Sequence, residues 1–248
     1  MNRSVHGGDS SLRLKPTLSE RMADRPGRGV GGLSHGPEDP ALAQIFVKQA
    51  TEAGVGRFVA LSARGIEQLP ANSFQGMTAA EQAVRASGAE WTIIRPNNFN
   101  QNFDEDVWRA PLRDGLLALP IGSVPEPFID AQDIADVAAA ALTSDGHHGQ
   151  VYDLSGPRAL TFGTAVATIA RAAGRSIRYV ELTPEEYRAE LLAEGVPEEA
   201  ATELNALFAG MRAGHFAEPG DGVRHVLGRD PIDFDTYAAR AAAAGAWS

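Results

Sequence analysis

The residue types best able to do chemistry gather behind two short apolar runs. Ser62 closes the run at residues 57–62, and Asn97, Asn98 and Asn102 follow the run at residues 90–95. A serine at a strand end hydrogen-bonds either a ligand or a neighbouring backbone group. Side-chain amides after a strand either face a bound molecule or shape their own turn. Both alternatives stand on the residues alone. Asp130, Asp133 and Asp136 bring three carboxylates close together. Acidic residues in the first turns of a helix already answer the positive end of its dipole, so no metal is expected there. His147 and His148 sit in one glycine-flanked loop and His215 and His225 in another, and they read as solvated. Thr78 reads as a helix cap. Gly27, Gly29 and Gly32 keep the G-x-G-x-x-G spacing, but that motif needs a strand before it and a helix after it. Pro26 precedes it and Ser34, Gly36, Pro37 and Pro40 follow, so the glycines read as a linker.

These residues have to be positioned by an alternation of strands and helices. The run 57–62 has no polar alternation, as in a strand buried on both faces of a parallel sheet. Residues 78–88 read as a helix, with Thr78 and Glu81 at capping-box spacing, Ala80, Ala83 and Val84 as its apolar stripe, and Gly88 as its stop. Residues 90–95 form a second strand ended by Pro96, which completes a right-handed βαβ unit. Upstream, residues 39–54 read as a helix with Leu42, Ile45, Phe46, Ala50 and Ala53 on its apolar face. Downstream, a short helical segment ends at Gly115, and the runs 116–119 and 127–129 flank a loop rich in proline and glycine. Asp130 caps the clearest helix, which carries Ile134, Val137, Ala138, Ala141 and Leu142. Then come a strand at 150–155, a helix at 161–173, a strand at 178–182, a helical hairpin broken at Gly195, and a closing helix at 234–244. The fold class expected is α/β, an incomplete Rossmann-like parallel sheet with a largely helical C-terminal subdomain. The divisions expected are an irregular tail at 1–38, a sheet domain at 39–155 and a helical subdomain at 156–248.

Composition narrows the function classes. The chain has 248 residues, 44% of them hydrophobic and 22% charged, an ordinary globular composition with room for a core. Its formal net charge of -10 argues against binding nucleic acid or an anionic membrane. It contains no cysteine, which excludes disulfides, thiolate zinc sites, iron-sulfur clusters and cysteine nucleophiles. No run approaches a membrane span and no signal-peptide centre is visible, so the expected location is the cytoplasm.

Several separated motifs together point to a family. RFVALSA, AEQAVRASGAEWTIIRPNNFNQNF, PFIDAQDIADVAAAAL, GQVYDLSGPRALTF and VLGRDPIDFDTYAARAAAAGAW occur in this order over roughly residues 39–248. They resemble the NmrA-like atypical short-chain dehydrogenases, nearest the branch that includes the ergot-alkaloid dehydrogenases. The resemblance implies an NAD(P)-binding Rossmann domain, with substrate held between it and the C-terminal subdomain. It implies that Ser62, Ala63 and Arg64, with Pro96, Asn97, Asn98 and Phe99, border the nicotinamide of NAD(P)(H). Phe99, Asn102, Phe103 and Trp108 become candidates for the pocket of a small-molecule substrate.

Two departures from that family shape the functional expectation. The strand and glycine-rich turn that normally open the fold have no counterpart, so the first third of the domain reads as absent or replaced by the tail. An uncovered sheet edge or apolar surface would follow, a liability in a monomer that leaves a homo-oligomer open. The Tyr-x-x-x-Lys pair of other short-chain dehydrogenases would fall on Phe74 and Thr78, which supply neither phenol nor ammonium, so no catalytic residue is assigned. A quinone or an iminium cation accepts hydride without a nearby protein acid, whereas alcohol-ketone chemistry does not suit such a site. The expectation is an NAD(P)H-dependent oxidoreductase acting on such an acceptor. The alternatives are an inactive NAD(P)-sensing or interaction regulator, or a truncated fragment that no longer binds.

Overall fold

A computed structural model of the chain describes residues 32–33, 40–68, 74–193 and 195–248. Most of the glycine-rich tail, Gly27 and Gly29 included, lies outside the described residues. Gly32 and Leu33 do not: they form strand β1, which pairs in parallel with Val59 and Ala60 of β2 (Arg57–Leu61). Reading Gly32 as part of a linker is thereby corrected. Strand β2 pairs with β3 (Glu90–Pro96), and β3 with β5 (Gln150–Leu154), giving one parallel sheet in the order β1-β2-β3-β5. The buried centres of β2 and β3, Phe58, Val59, Ala60, Ile93 and Ile94, explain the unalternated apolar runs. Strand β3 runs through Pro96 instead of stopping before it. A proline closing a strand loses only its own donor, and the Pro96 carbonyl still accepts from Arg64 N at 3.1 Å. Leu116–Leu119, expected to flank a loop, is strand β4, paired in parallel with β6 (Arg178–Glu181) in a separate small sheet.

Helix α1 (Pro40–Glu52) packs on α2 (Gln75–Ala86) through small residues: Ala43, Val47, Ala79 and Ala80 share one core cluster with Phe58 and Ile93. This reverses the expected face of α1, for Leu42, Ile45 and Phe46 are exposed. Small side chains let the two helix backbones approach, and the bulky ones turn outward. Helix α2 begins three residues before Thr78, so Thr78 lies inside it and does not cap it. Glu81 is not a capping residue either. It is buried and takes two bonds from the Arg95 guanidinium on β3, each 2.8 Å.

After α3 (Arg109–Asp114), helix α4 (Ala131–Thr143) is capped by Asp130, which accepts from Gln132 N at 2.9 Å. Its acidic start meets the C-terminal part of the chain. Asp130 accepts from Arg240, Asp133 from Arg229 and from Ile232 N, and Asp136 from Arg229, all at 2.6–2.7 Å. Asp130 and Asp133 are fully buried, so these two arginines compensate carboxylates taken out of water. Helix α5 (Phe162–Ala173) follows β5. A reciprocal capping box of Thr183 and Glu186, at 2.8 and 3.1 Å, opens α6 (Pro184–Ala193). Helix α7 (Glu198–Arg212) completes the hairpin. Helix α8 (Gly222–Leu227) occupies what read as a loop, and α9 (Phe234–Ala243) closes the fold. Phe103, Trp108, Phe128, Phe162, Phe234, Tyr237 and Trp247 form an aromatic core between these helices and the small sheet. Trp247, fully buried, donates its indole N–H to the Phe103 carbonyl at 2.7 Å.

Candidate functional site

Strands β2, β3 and β5 run in one direction, so the loops at their carboxyl ends converge, and most of the chemistry-bearing residues converge with them. Ser62 is buried at the end of β2, with its amide bound to the Ile94 carbonyl at 2.8 Å. Its hydroxyl lies near Glu81 without a hydrogen bond of good geometry. Burial alone would raise the Glu81 pKa, yet the Arg95 guanidinium holds this carboxyl below its ordinary value. Ala63 is half-buried beside it. Arg64 reaches across to β3, donating to Asn97 Oδ1 at 2.9 Å and to the Glu218 carbonyl at 2.6 Å, with Asp153 of β5 3.7 Å away.

Glu126, which the sequence gave no reason to single out, gathers the loop after β3. It is 6% exposed, and its Oε1 accepts from Asn97 Nδ2 at 2.8 Å and from the Asn98 backbone at 3.2 Å. Burial pushes its pKa up against those bonds and the charge of Arg64. Asn97 also donates to the Phe216 carbonyl at 3.2 Å, and Gly220 N to Ser155 Oγ at 2.7 Å. The segment 216–220 is therefore laced onto the ends of β3 and β5, and onto Arg64. Phe216 lies over Gly65, where a Cβ would come within 1.7 Å of the ring.

Beside this network opens a cavity of about 550 Å³. Asn98, Asn102 and Trp108 line it, together with the small-sheet strand β4 and helices α6 and α7. Of the residues expected in a substrate pocket, the structure brings Asn102 and Trp108 to this cavity. Phe103 lies behind Trp108 in the aromatic core, ring centroids 4.8 Å apart, and Phe99 packs toward the face of the sheet covered by α4. The far wall is Leu204, Leu207, Phe208 and Met211 of α7, spaced as one helical face. That stripe, at i, i+3, i+4 and i+7 within the expected helical hairpin, was a usable signal that the sequence reading did not single out. A second hollow of about 350 Å³ between α1 and α2 lies toward the C-terminal ends of those helices, away from the carboxyl ends of the strands.

The Ser62 hydroxyl and both polar atoms of the Asn100 amide are buried with no hydrogen-bond partner among the described residues. Orphaned groups at the ends of β2 and β3 suit a bound polar molecule there, as expected beyond the carboxyl ends of parallel strands.

Comparison with known proteins agrees. Residues 22–145 match a family model described as NAD(P)H-binding. The match begins upstream of the resemblance seen in the sequence and takes in Gly27, Gly29 and Gly32. The chain is 35% identical over 215 residues to the NAD(P)H azoreductase of Xenophilus azovorans, covering 85% of this chain and 74% of that one. Among solved structures, triphenylmethane reductase of Citrobacter sp. complexed with NADP(H) superposes with a TM-score of 0.68 at 21% identity, over 86% of this chain and 75% of that one. NmrA, a negative transcriptional regulator in complex with NAD, superposes with a TM-score of 0.62 at 16% identity, over 85% and 72%. At such identities the two structures speak for the fold. With the family match and the Xenophilus relative in agreement, the chain belongs to the NAD(P)H-binding family, and its fold is NmrA-like.

Proposed function

We propose that the chain is an NAD(P)H-dependent reductase that passes hydride to a bulky, mostly apolar acceptor of the quinone or iminium kind. The observation that carries this reading is the cavity of about 550 Å³, apolar on its walls and polar at the end formed by Asn98 and Asn102. The activity in the name of the Xenophilus relative supports it. On this reading Ser62, Ala63, Arg64, Pro96, Asn97, Asn98 and Phe99 border the nicotinamide. The orphaned Ser62 and Asn100 groups support a fit at that end. The described residues offer no glycine-rich strand-to-helix turn for the phosphates, so this support is confined to the nicotinamide end.

When bound, NAD(P)H supplies hydride, and a quinone then needs only one solvent proton to become the hydroquinone. The chain's own residues bind, orient and shield. Asn98 and Asn102 present amides to the polar edge of the acceptor, while Trp108 and the α7 stripe exclude water from the rest. Glu126 keeps Asn97 and Asn98 in register. The absent Tyr-x-x-x-Lys pair is no obstacle for acceptors that need no protein acid. The same absence favours a second reading, an NAD(P)-sensing regulator without turnover: the residues expected at that spacing are Phe74, with a left-handed φ of 50°, and Thr78, neither an acid nor an amine. The lack of cysteine suits a reducing cytoplasm, and no described helix is long and apolar enough to cross a membrane.

Titrating NADPH fluorescence with the purified chain, then following NADPH oxidation with a naphthoquinone, separates the two. Binding followed by oxidation supports the reductase. Binding without oxidation by quinones or iminium salts supports the regulator, and no binding at millimolar ligand sinks both.

A further inference from the structure

The cavity next to Asn98 and Asn102 has an electrostatic character as well as a shape. None of the residues lining it is Arg, Lys or His; its ionisable groups are the Glu190 carboxylate and the Tyr187 phenol. The α6–α7 hairpin that roofs it is acidic, with seven Glu and two Arg within residues 184–212. Both arginines are engaged elsewhere, Arg188 with the Glu198 carboxylate and Arg212 with the Pro120 carbonyl. An anion entering this space would lose hydration and find no cation among the lining residues to replace it, with the Glu190 carboxylate at the edge. A neutral ring system meets only apolar walls and two amides, and a cation gains from Glu190.

We propose that the cavity is a charge filter, accepting neutral and cationic ring systems and rejecting anionic ones, with Glu190 as a specificity-determining residue at its edge. The proposal rests on the reading of this cavity as the acceptor site and names the class of acceptor it takes. Glu190 is exposed, so its share of the selectivity is screened by salt, whereas the share due to the apolar wall is not.

The test compares 1,4-naphthoquinone with 1,4-naphthoquinone-2-sulfonate on the full chain. Binding is read from the tryptophan quenching that is lost in Trp108→Phe, and turnover from NADPH oxidation. A buried charge without a partner predicts that the neutral quinone binds at least about tenfold more tightly than the sulfonate. Glu190→Lys should cut that ratio about threefold or more at low salt, and added salt should narrow the difference between wild type and variant. A ratio near one in the wild type, or a ratio unaffected by Glu190→Lys at low salt, overturns the proposal. Selective binding without NADPH oxidation would refute the reductase reading while leaving the filter standing, so the two failures are distinguishable.

Discussion

Replacing Glu126 probes the network that holds the β3 loop, and two substitutions with opposite expectations make the probe sharp. Glu126→Leu leaves the Asn98 amide without an acceptor, while Asn97 Nδ2 keeps the Phe216 carbonyl at 3.2 Å. One buried donor wholly orphaned costs about 1–3 kcal/mol. For a chain of this length that is a fall in Tm of about 2–12 °C. Glu126→Gln keeps an acceptor oxygen for both donors and removes only the charge. Burial raises the folded-state pKa of Glu126 above its ordinary value of 4.5, with the Asn97 and Asn98 bonds and Arg64 opposing. A raised carboxyl contributes stability that is complete below the unfolded value and lost as pH rises through the folded one. Wild type should therefore lose stability relative to Glu126→Gln on going up from about pH 4.5, and the two should converge below it. Thermal melts of the three proteins between pH 4 and pH 8 decide the matter. A Gln variant as unstable as the Leu variant, or a gap between wild type and Gln that does not change with pH, would refute this account of the network.

Trp247→Ala removes a fully buried indole and its bond to the Phe103 carbonyl, for a loss of about 3–5 kcal/mol measurable by chemical denaturation. The KM for acceptor should rise with it, because Phe103 adjoins Asn102. Arg229→Ala strips the guanidinium from the fully buried Asp133, costing about 3–5 kcal/mol in urea denaturation, and adding Asp133→Asn should recover part of that.

The sheet was legible because its determinants are local. The apolar runs at β2 and β3 and the cap at Asp130 each announce themselves within a few residues, and each forms within a residue of the expected bounds. What escaped depends on partners far along the chain. Glu81 stands at capping-box spacing from Thr78, yet its partner is Arg95 on the neighbouring strand. The acidic start of α4 looked complete as dipole chemistry, and Arg229 and Arg240 lie about a hundred residues away. Leu42, Ile45 and Phe46 make a plausible apolar face, but helical periodicity cannot say which face a neighbouring helix will cover. At the site, Asn98 and Asn102 drew attention because they follow a buried strand, and Trp108 through the family resemblance; the fold brings all three to one cavity. Glu126 sits between two prolines in a stretch without periodicity, and only the folded chain shows what its carboxylate holds.

The ion pairs at the buried carboxylates Glu81, Asp130 and Asp133 share a chemical asymmetry. Arg95, Arg229 and Arg240 supply their cations, and among the described ion pairs lysine enters only at Lys48–Glu52, on an exposed stretch of α1. Guanidinium keeps its proton throughout the range in which a protein stays folded, so alkali leaves these pairs intact and acid dismantles them from the carboxylate side. The chain's two lysines are Lys15 and Lys48. Amine-directed reagents can therefore label or immobilise the protein through Lys48 without touching the Glu126 network, the cavity wall or the buried carboxylates of α4.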